Sequence, residues 1–64
     1  MKLSNLLEGL LILKKYYDFD DYFSAEHDQI WLCGGEDIKI FREDEGKLNE
    51  LGFFKDEDSW SCFP

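Results

Sequence analysis

The stretch LGFFKDEDSWSCF, residues 51–63, contains a helix end followed by a complete β-hairpin. Gly52 stands where helices commonly stop, because glycine adopts the left-handed C′ conformation without strain, and Phe53 would then fold back on Leu48. The acidic turn 55–58 separates two apolar runs, as expected for a hairpin. Trp60 and Cys62 lie two residues apart on the second run and therefore share one face.

Residues 42–51, directly before Gly52, have the pattern of a helix. Glu43, Asp44 and Glu45 crowd the first turn, where negative charge interacts favourably with the helix dipole. Gly46 weakens the pattern, since glycine costs about 1 kcal/mol relative to alanine inside a helix. We therefore expect a second helix that leads into the closing hairpin.

Three short runs upstream read as strands: 19–25, 30–33 and 38–41. The residues Glu26-His27-Asp28 supply turn chemistry between the first two runs. Two glycines, Gly34 and Gly35, end the second run. Tight connections of this kind predict a three-stranded antiparallel meander.

Residues 3–17 predict the first helix, with Ser4 as its N-cap and Lys14 and Lys15 in its last turn. Leu11 and Ile12 lie outside the apolar face, so that either later residues wrap around the helix or these two side chains contact another chain. The face expected to point inward follows helical spacing: Leu3, Leu6, Leu7, Leu10, Leu13 and Tyr17. The whole is predicted to be one α+β domain over residues 1–64: helix, three-stranded antiparallel meander, short helix and C-terminal β-hairpin.

The chain is small and strongly acidic. It has 64 residues, 44% of them apolar and 17% aromatic, and a net charge of −8. Residues 1–17 carry +2 and residues 18–64 carry −10. A surface this negative repels nucleic acid and anionic lipid and attracts basic proteins. We therefore expect a basic protein as partner, and we expect no direct binding to nucleic acid and no binding to membranes.

Cys33 and Cys62 are too widely separated to form a metal or redox motif, and we expect two reduced thiols in a cytoplasmic protein. A disulfide between Cys33 and Cys62 is possible if their strands are neighbours. The apolar run 10–13 is too short for a signal core or a membrane span.

Calcium is the first metal to consider, because Asp18, Asp20 and Asp21 begin like an EF-hand loop. Tyr22 and Phe23 then occupy the positions where that loop needs an oxygen ligand and a glycine. The sequence therefore does not predict a calcium site.

Zinc could use His27, Asp28, Cys33 and Cys62, but these lack the paired close spacings of structural zinc sites. His27 is expected to be an exposed turn residue. A chain this small leaves little room for a pocket of about 300 Å³ or more, in which a catalytic pKa could be shifted. We expect no enzymatic activity, no metal and no cofactor.

In size, charge and one-domain α+β pattern, the chain resembles small acidic proteins of phages and other mobile elements, including anti-CRISPR and other anti-defence inhibitors. The likeness extends over the whole length and no sequence motif carries it. It implies a non-catalytic inhibitor of a host defence protein.

We expect this inhibitor to occupy a basic nucleic-acid-binding surface as a nucleic-acid mimic. Asp18 and Asp20 on an extended strand would lie about 6.8 Å apart on one side. Tyr22 and Trp31 would stand where bases stack. If the loop ends gather on one edge, the contact residues are Asp18, Asp20, Asp21, Tyr22, Asp28, Trp31, Glu36 and Asp37. The alternative is a homo-oligomeric structural or accessory module that pairs Leu11 and Ile12 across a two-fold axis.

Overall fold

The computed structural model describes residues 1–35 and 38–64. In this part of the chain two helices accompany one four-stranded antiparallel sheet, which confirms the α+β class. The elements are α1 (Leu3–Leu13), β1 (Ser24–Glu26), β2 (Gln29–Gly34), α2 (Arg42–Leu51), β3 (Phe53–Asp56) and β4 (Ser59–Cys62). The predicted three-stranded meander is matched only in part: β1 and β2 pair as its first hairpin, but the closing hairpin joins the sheet, which has four strands in the order β1-β2-β4-β3.

The helix end and hairpin of residues 51–63 form as predicted. Gly52 caps α2 in the left-handed conformation at φ 107°, and its N–H donates to the carbonyls of Asn49 and Leu48. Between β3 and β4, Glu57 (φ 52°) and Asp58 (φ 66°) are both left-handed. Two successive left-handed residues make the tight turn whose twist matches that of the flanking strands.

Side-chain alternation gives the sheet a helix-facing side. Phe53 pairs with Cys62, and Lys55 pairs with Trp60. The ring of Phe53 comes so close to Gly9 of α1 that a methyl group on Gly9 would overlap it. The buried core on this side consists of Leu13, Tyr17, Leu48, Leu51, Phe53, Trp60 and Cys62.

The predicted strand 38–41 does not form, although its alternation is right. Ile38 and Ile40 are half-buried against the core, whereas Lys39 is exposed. Both edges of β2 are already occupied, by β1 and by β4, so this segment has no edge of β2 to pair with. Its end is held instead by the N–H of Phe41, which donates to the Tyr16 hydroxyl at 3.3 Å.

Most of the predicted strand 19–25 is also absent, since β1 begins only at Ser24. The Asp18 carboxylate accepts the N–H of Asp20 at 2.9 Å. An aspartate that bonds to the backbone two residues ahead favours a turn over an extended chain. The 6.8 Å spacing expected for Asp18 and Asp20 on a strand therefore does not apply.

The first helix is shorter than predicted. It begins after Lys2, not at a Ser4 cap, and it ends at Leu13. A further turn continues the chain, with the N–H of Tyr17 bonded to the carbonyl of Leu13 at 3.0 Å. Tyr17 is therefore still buried, at 7% exposure, as its place on the predicted inner face required.

Candidate functional site

A groove of about 970 Å³ opens between α1, the segment 17–24 and β2. Helix α1 contributes Leu6 and Leu10, and β2 contributes a wall that includes Ile30 and Trp31. The expectation that so small a chain lacks room for a pocket is wrong. The Asp18 turn lies in the segment that forms one wall of this groove.

Three carboxylates stand on the wall formed by segment 17–24: those of Asp18, Asp20 and Asp21. Asp18 bonds to the backbone N–H of Asp20, and Asp21 bonds to the N–H of Tyr22 at 2.8 Å. Among the described residues, only Glu8 and Asp44 lie within 4.0 Å of a lysine. The groove carboxylates therefore have no lysine partner within the described part of the chain.

Exposed aromatic rings accompany these acids on the same segment. Tyr22 is 92% exposed and Phe23 is 67% exposed. Phe19 also lines the groove, and Trp31 lies half-buried on β2. Large apolar side chains exposed as a contiguous patch mark interaction sites, whereas scattered ones do not.

Helix α1 carries a second exposed apolar feature, which we call the leucine stripe: Leu3, Leu7 and Leu11, at 81%, 59% and 58% exposure. Leu7 and Leu11 are each two residues from Gly9, so that both lie about 200° round the helix from it. Because Gly9 faces Phe53, these leucines face away from the core.

The stripe corrects the predicted faces of the first helix. Leu3 and Leu7, expected inside, point outward, and Ile12, expected outside, packs against the core. Only Leu11 lies outward as predicted. The excess of apolar residues around α1 was the available signal, but the turn of the helix about its axis is set by the long-range contact at Gly9, which sequence spacing does not contain.

The structure brings together five of the predicted contact residues and leaves others apart. Asp18, Asp20, Asp21, Tyr22 and Trp31 all line the groove. Glu36 and Asp37 lie outside the described residues. Groove-lining side chains that sequence reasoning missed include Leu6, Leu10, Phe19, Phe23 and Cys33.

Asp28 lies away from the groove, in the turn between β1 and β2. Strands β2 and β3 run in the same direction, because each pairs antiparallel with β4. The turn with Asp28 and the turn with Glu57 and Asp58 therefore lie at opposite ends of the sheet. The expectation that the acidic loop ends gather on one edge is wrong for these two turns.

Neither thiol is prepared for nucleophilic chemistry. Burial raises the pKa of Cys33 to about 11, with nearby Lys55 lowering it and Asp21 raising it. Burial also raises the pKa of Cys62. Both cysteines are free, and the pairing places Cys62 opposite Ile30, not opposite Cys33.

In the described parts of the chain, 1–35 and 38–64, no three His, Cys, Asp or Glu side chains form a cluster that could hold a metal ion. His27 stands in the exposed turn before β2, 3.9 Å from Glu26. Neither α1 nor α2 has the length and apolar content needed to cross a membrane.

Compared with protein-family models, with curated proteins and with solved structures, the chain matches none.

Proposed function

We propose that this chain is a non-catalytic binding module whose groove engages a basic segment of another protein. The partner is a nucleic-acid-handling host defence protein, and the bound segment belongs to the surface with which it holds nucleic acid. Binding of this segment by the groove therefore inhibits the partner. The observation that carries the proposal is the placement of three carboxylates without lysine partners beside exposed rings on one groove wall.

We expect the carboxylates and the aromatic rings to contribute together to the free energy of binding. A carboxylate paired with Lys or Arg at a solvated rim contributes about 0.2–1 kcal/mol, so three acids alone give weak binding. Aromatic side chains dominate the free energy of most interfaces. Tyr22 supplies the most exposed ring and Trp31 the most firmly held one, because Trp31 is part of a strand paired on both sides.

Competition with nucleic acid follows from charge. The chain carries −8, and none of its three groove acids is paired with a lysine of the described chain. A basic surface that binds phosphates electrostatically loses that attraction once carboxylates cover it. The described acids do not form one continuous row, so we propose local replacement of phosphate contacts at the groove.

The test compares two triple variants with the same net charge of −5. The groove variant carries Asp18→Asn, Asp20→Asn and Asp21→Asn, which keep the side-chain oxygens that accept backbone N–H groups. The control neutralises three exposed acids elsewhere: Glu45→Gln, Glu50→Gln and Glu57→Gln. Each is used as bait in a host lysate at low and high salt, and captured proteins are identified by mass spectrometry.

We expect wild type and control to capture the same basic protein at low salt, and the groove variant to lose it. The captured protein, once purified, should release its nucleic acid when wild-type chain is added. Equal capture by both triple variants would show that general acidity, not the groove, is recognised, and would overturn the proposal.

The leucine stripe favours a second candidate, a homo-oligomeric module. The interface would then comprise Leu3, Leu7 and Leu11, without Ile12, which is packed inside. Sedimentation of wild type and of a Leu7→Glu variant tests it, with Ser4→Glu on the same helix as control. A dimer that only Leu7→Glu dissociates supports this candidate, and a monomer at micromolar concentration removes it.

A further inference from the structure

We infer that the occupant of the groove is a basic amphipathic helix of the partner, which lies along α1 and inserts apolar side chains. This inference rests on the proposed function and specifies the partner's chemistry. It adds an apolar requirement to the electrostatic one, so that positive charge alone does not suffice for recognition.

An added strand cannot pair with β2, which forms most of the sheet wall of the groove, and the free edge beside the groove belongs to β1, which is only three residues long. The groove is lined by five residues of β2, and β2 is paired with β1 on one side and with β4 on the other. A peptide strand needs a free row of backbone N–H and C=O groups, as at a sheet edge. The groove has to be filled by side chains.

The apolar surface has the length of a helix. Leu6 and Leu10 line the groove, and the leucine stripe continues it on the adjacent side of α1. Helix α1 has 11 residues, which span about 16 Å at 1.5 Å per residue. A helix that packs along α1 would cover both the groove and the leucine stripe, since packed helices bury side-chain ridges over several turns. A small ligand in the groove would leave the stripe in water.

Charge complementarity places the partner's cations at one end. Asp18, Asp20 and Asp21 follow the C-terminus of α1, where the helix dipole is also negative. Lys14 and Lys15 lie at the same end, but Lys15 is paired with Asp44, so the three acids still leave a net negative charge there, whereas Lys2 precedes the opposite end. Tyr17, 7% exposed, lines the groove beside these acids, and in the described chain its hydroxyl has no hydrogen-bond partner. Lys and Arg should therefore cluster in the half of the partner helix that lies over Asp18.

Two synthetic peptides test the inference. Each has about 18 residues, or five helical turns, made of leucine, alanine and lysine. In the first, leucines recur at i, i+3, i+4 and i+7, and lysines cluster in one half. The second is a scramble with identical composition and charge but without an apolar face. Binding of labelled peptide to the intact chain is followed by fluorescence anisotropy at low salt.

We expect the amphipathic peptide to bind about tenfold or more tightly than its scramble, which corresponds to about 1.4 kcal/mol. Leu7→Gln should remove most of that advantage, because it should weaken binding of the amphipathic peptide much more than binding of the scramble. Leu7 is 59% exposed, so the fold should survive the change, as circular dichroism would verify. The groove variant with three asparagines should bind both peptides more weakly than wild type does.

Each contrary result has a distinct meaning. Equal binding of both peptides overturns the inference that the occupant is an amphipathic helix. The proposed function, recognition of a basic segment by the groove, is then unaffected. No binding of either peptide at low salt to a wild-type chain that is monomeric overturns both the inference and the proposed function. A wild-type dimer that binds neither peptide, beside a Leu7→Gln monomer, overturns the inference and assigns the stripe to a second copy of the chain.

Discussion

The side chains of Lys15, Tyr16 and Asp44 form the polar link between the end of α1 and the first turn of α2. Lys15 donates to the Asp44 carboxylate at 2.8 Å, and the Tyr16 hydroxyl donates to the same oxygen. Tyr16 in turn accepts the N–H of Phe41. These three side chains thereby fix the start of α2 against α1, and the hydrogen bonds among them shift the pKa of each.

The hydrogen bond from Lys15, and then that from Tyr16, lowers the pKa of Asp44. The bond to Asp44 raises the pKa of Lys15 and that of Tyr16. Stability from Asp44 is present above the ordinary carboxyl pKa of about 3.9 and is lost as pH falls through the lowered pKa. Stability from Lys15 and Tyr16 is complete below about pH 10 and is lost as pH rises through their raised pKa values.

Asp44→Asn should therefore lower the Tm by a few degrees at pH 7, since it removes the charged acceptor of both bonds. The difference from wild type should shrink as pH falls below the ordinary carboxyl pKa of about 3.9, and as it rises above the ordinary tyrosine and lysine pKa values of about 10. Thermal unfolding across this pH range measures it. Glu45→Gln on the same turn is the control, and a difference that stays constant with pH would contradict the assignment.

Both thiols should resist alkylation while the chain is folded. With a pKa of about 11, Cys33 has on the order of a hundredfold less thiolate than an ordinary cysteine at the same pH, and Cys62 is fully buried. Iodoacetamide labelling at about pH 8, near the ordinary thiol pKa, with peptide mapping, should show slow modification of Cys33 and almost none of Cys62. In urea both should react at the ordinary rate. Rapid labelling of folded Cys33 would show that the groove thiol is activated.

At the scale of elements, two helical glycines have opposite roles. In α1, Gly9 is the point of closest approach to Phe53, whereas Gly46 of α2 has open space where a methyl group would lie. Sequence spacing presents both simply as weak points in a helix. Their environments make them a matched pair.

Gly9→Ala should destabilise the fold by about 1–3 kcal/mol or more, because the added methyl overlaps a buried ring and overpacking strains the core. Gly46→Ala should stabilise it by about 0.8–1 kcal/mol, since alanine is the better helix former. Urea unfolding of both variants measures the difference. If Gly9→Ala were neutral or stabilising, α1 would not pack on Phe53 as described.

Sequence reasoning identified the elements whose signals are local. The limits of α2, its Gly52 cap and the hairpin of β3 and β4 depend on residues only a few positions apart, so their chemistry could be read directly. The segments 19–25 and 38–41 carried a strand period as well. A period predicts which side chains point inward, but strand pairing also needs a free edge, and β4 occupies the edge of β2 with which segment 38–41 would have paired in a meander.

The candidate site was predictable to the same degree. The acids and rings of YDFDDYF, residues 17–23, could be identified from their types alone. That they form the wall of a groove depends on the Asp18 turn and on where α1 lies. The spread of acids over both ends of the sheet depends on the shared direction of β2 and β3, which only the long-range pairing with β4 determines.

For the whole molecule, the same charge acts on folding and on binding. A net charge of −8 on 64 residues destabilises the compact state by self-repulsion, and few described acids have a lysine within reach. Salt screens this repulsion, since the Debye length falls from about 30 Å at 0.01 M to about 3 Å at 1 M. The same screening weakens attraction to a basic partner.

Raising NaCl from about 0.01 M to about 1 M should therefore raise the Tm by several degrees while it slows association with a basic partner by at least about tenfold. The groove variant, at −5, should begin with a higher Tm and respond less to salt. Calorimetry at both salt concentrations, with stopped-flow binding, measures the two effects on one sample. Because the fold strengthens under the conditions that weaken binding, loss of binding at high salt cannot be attributed to unfolding. A Tm that falls with salt would mean that the carboxylates are engaged in favourable pairs, and the charge available to a partner would be correspondingly smaller.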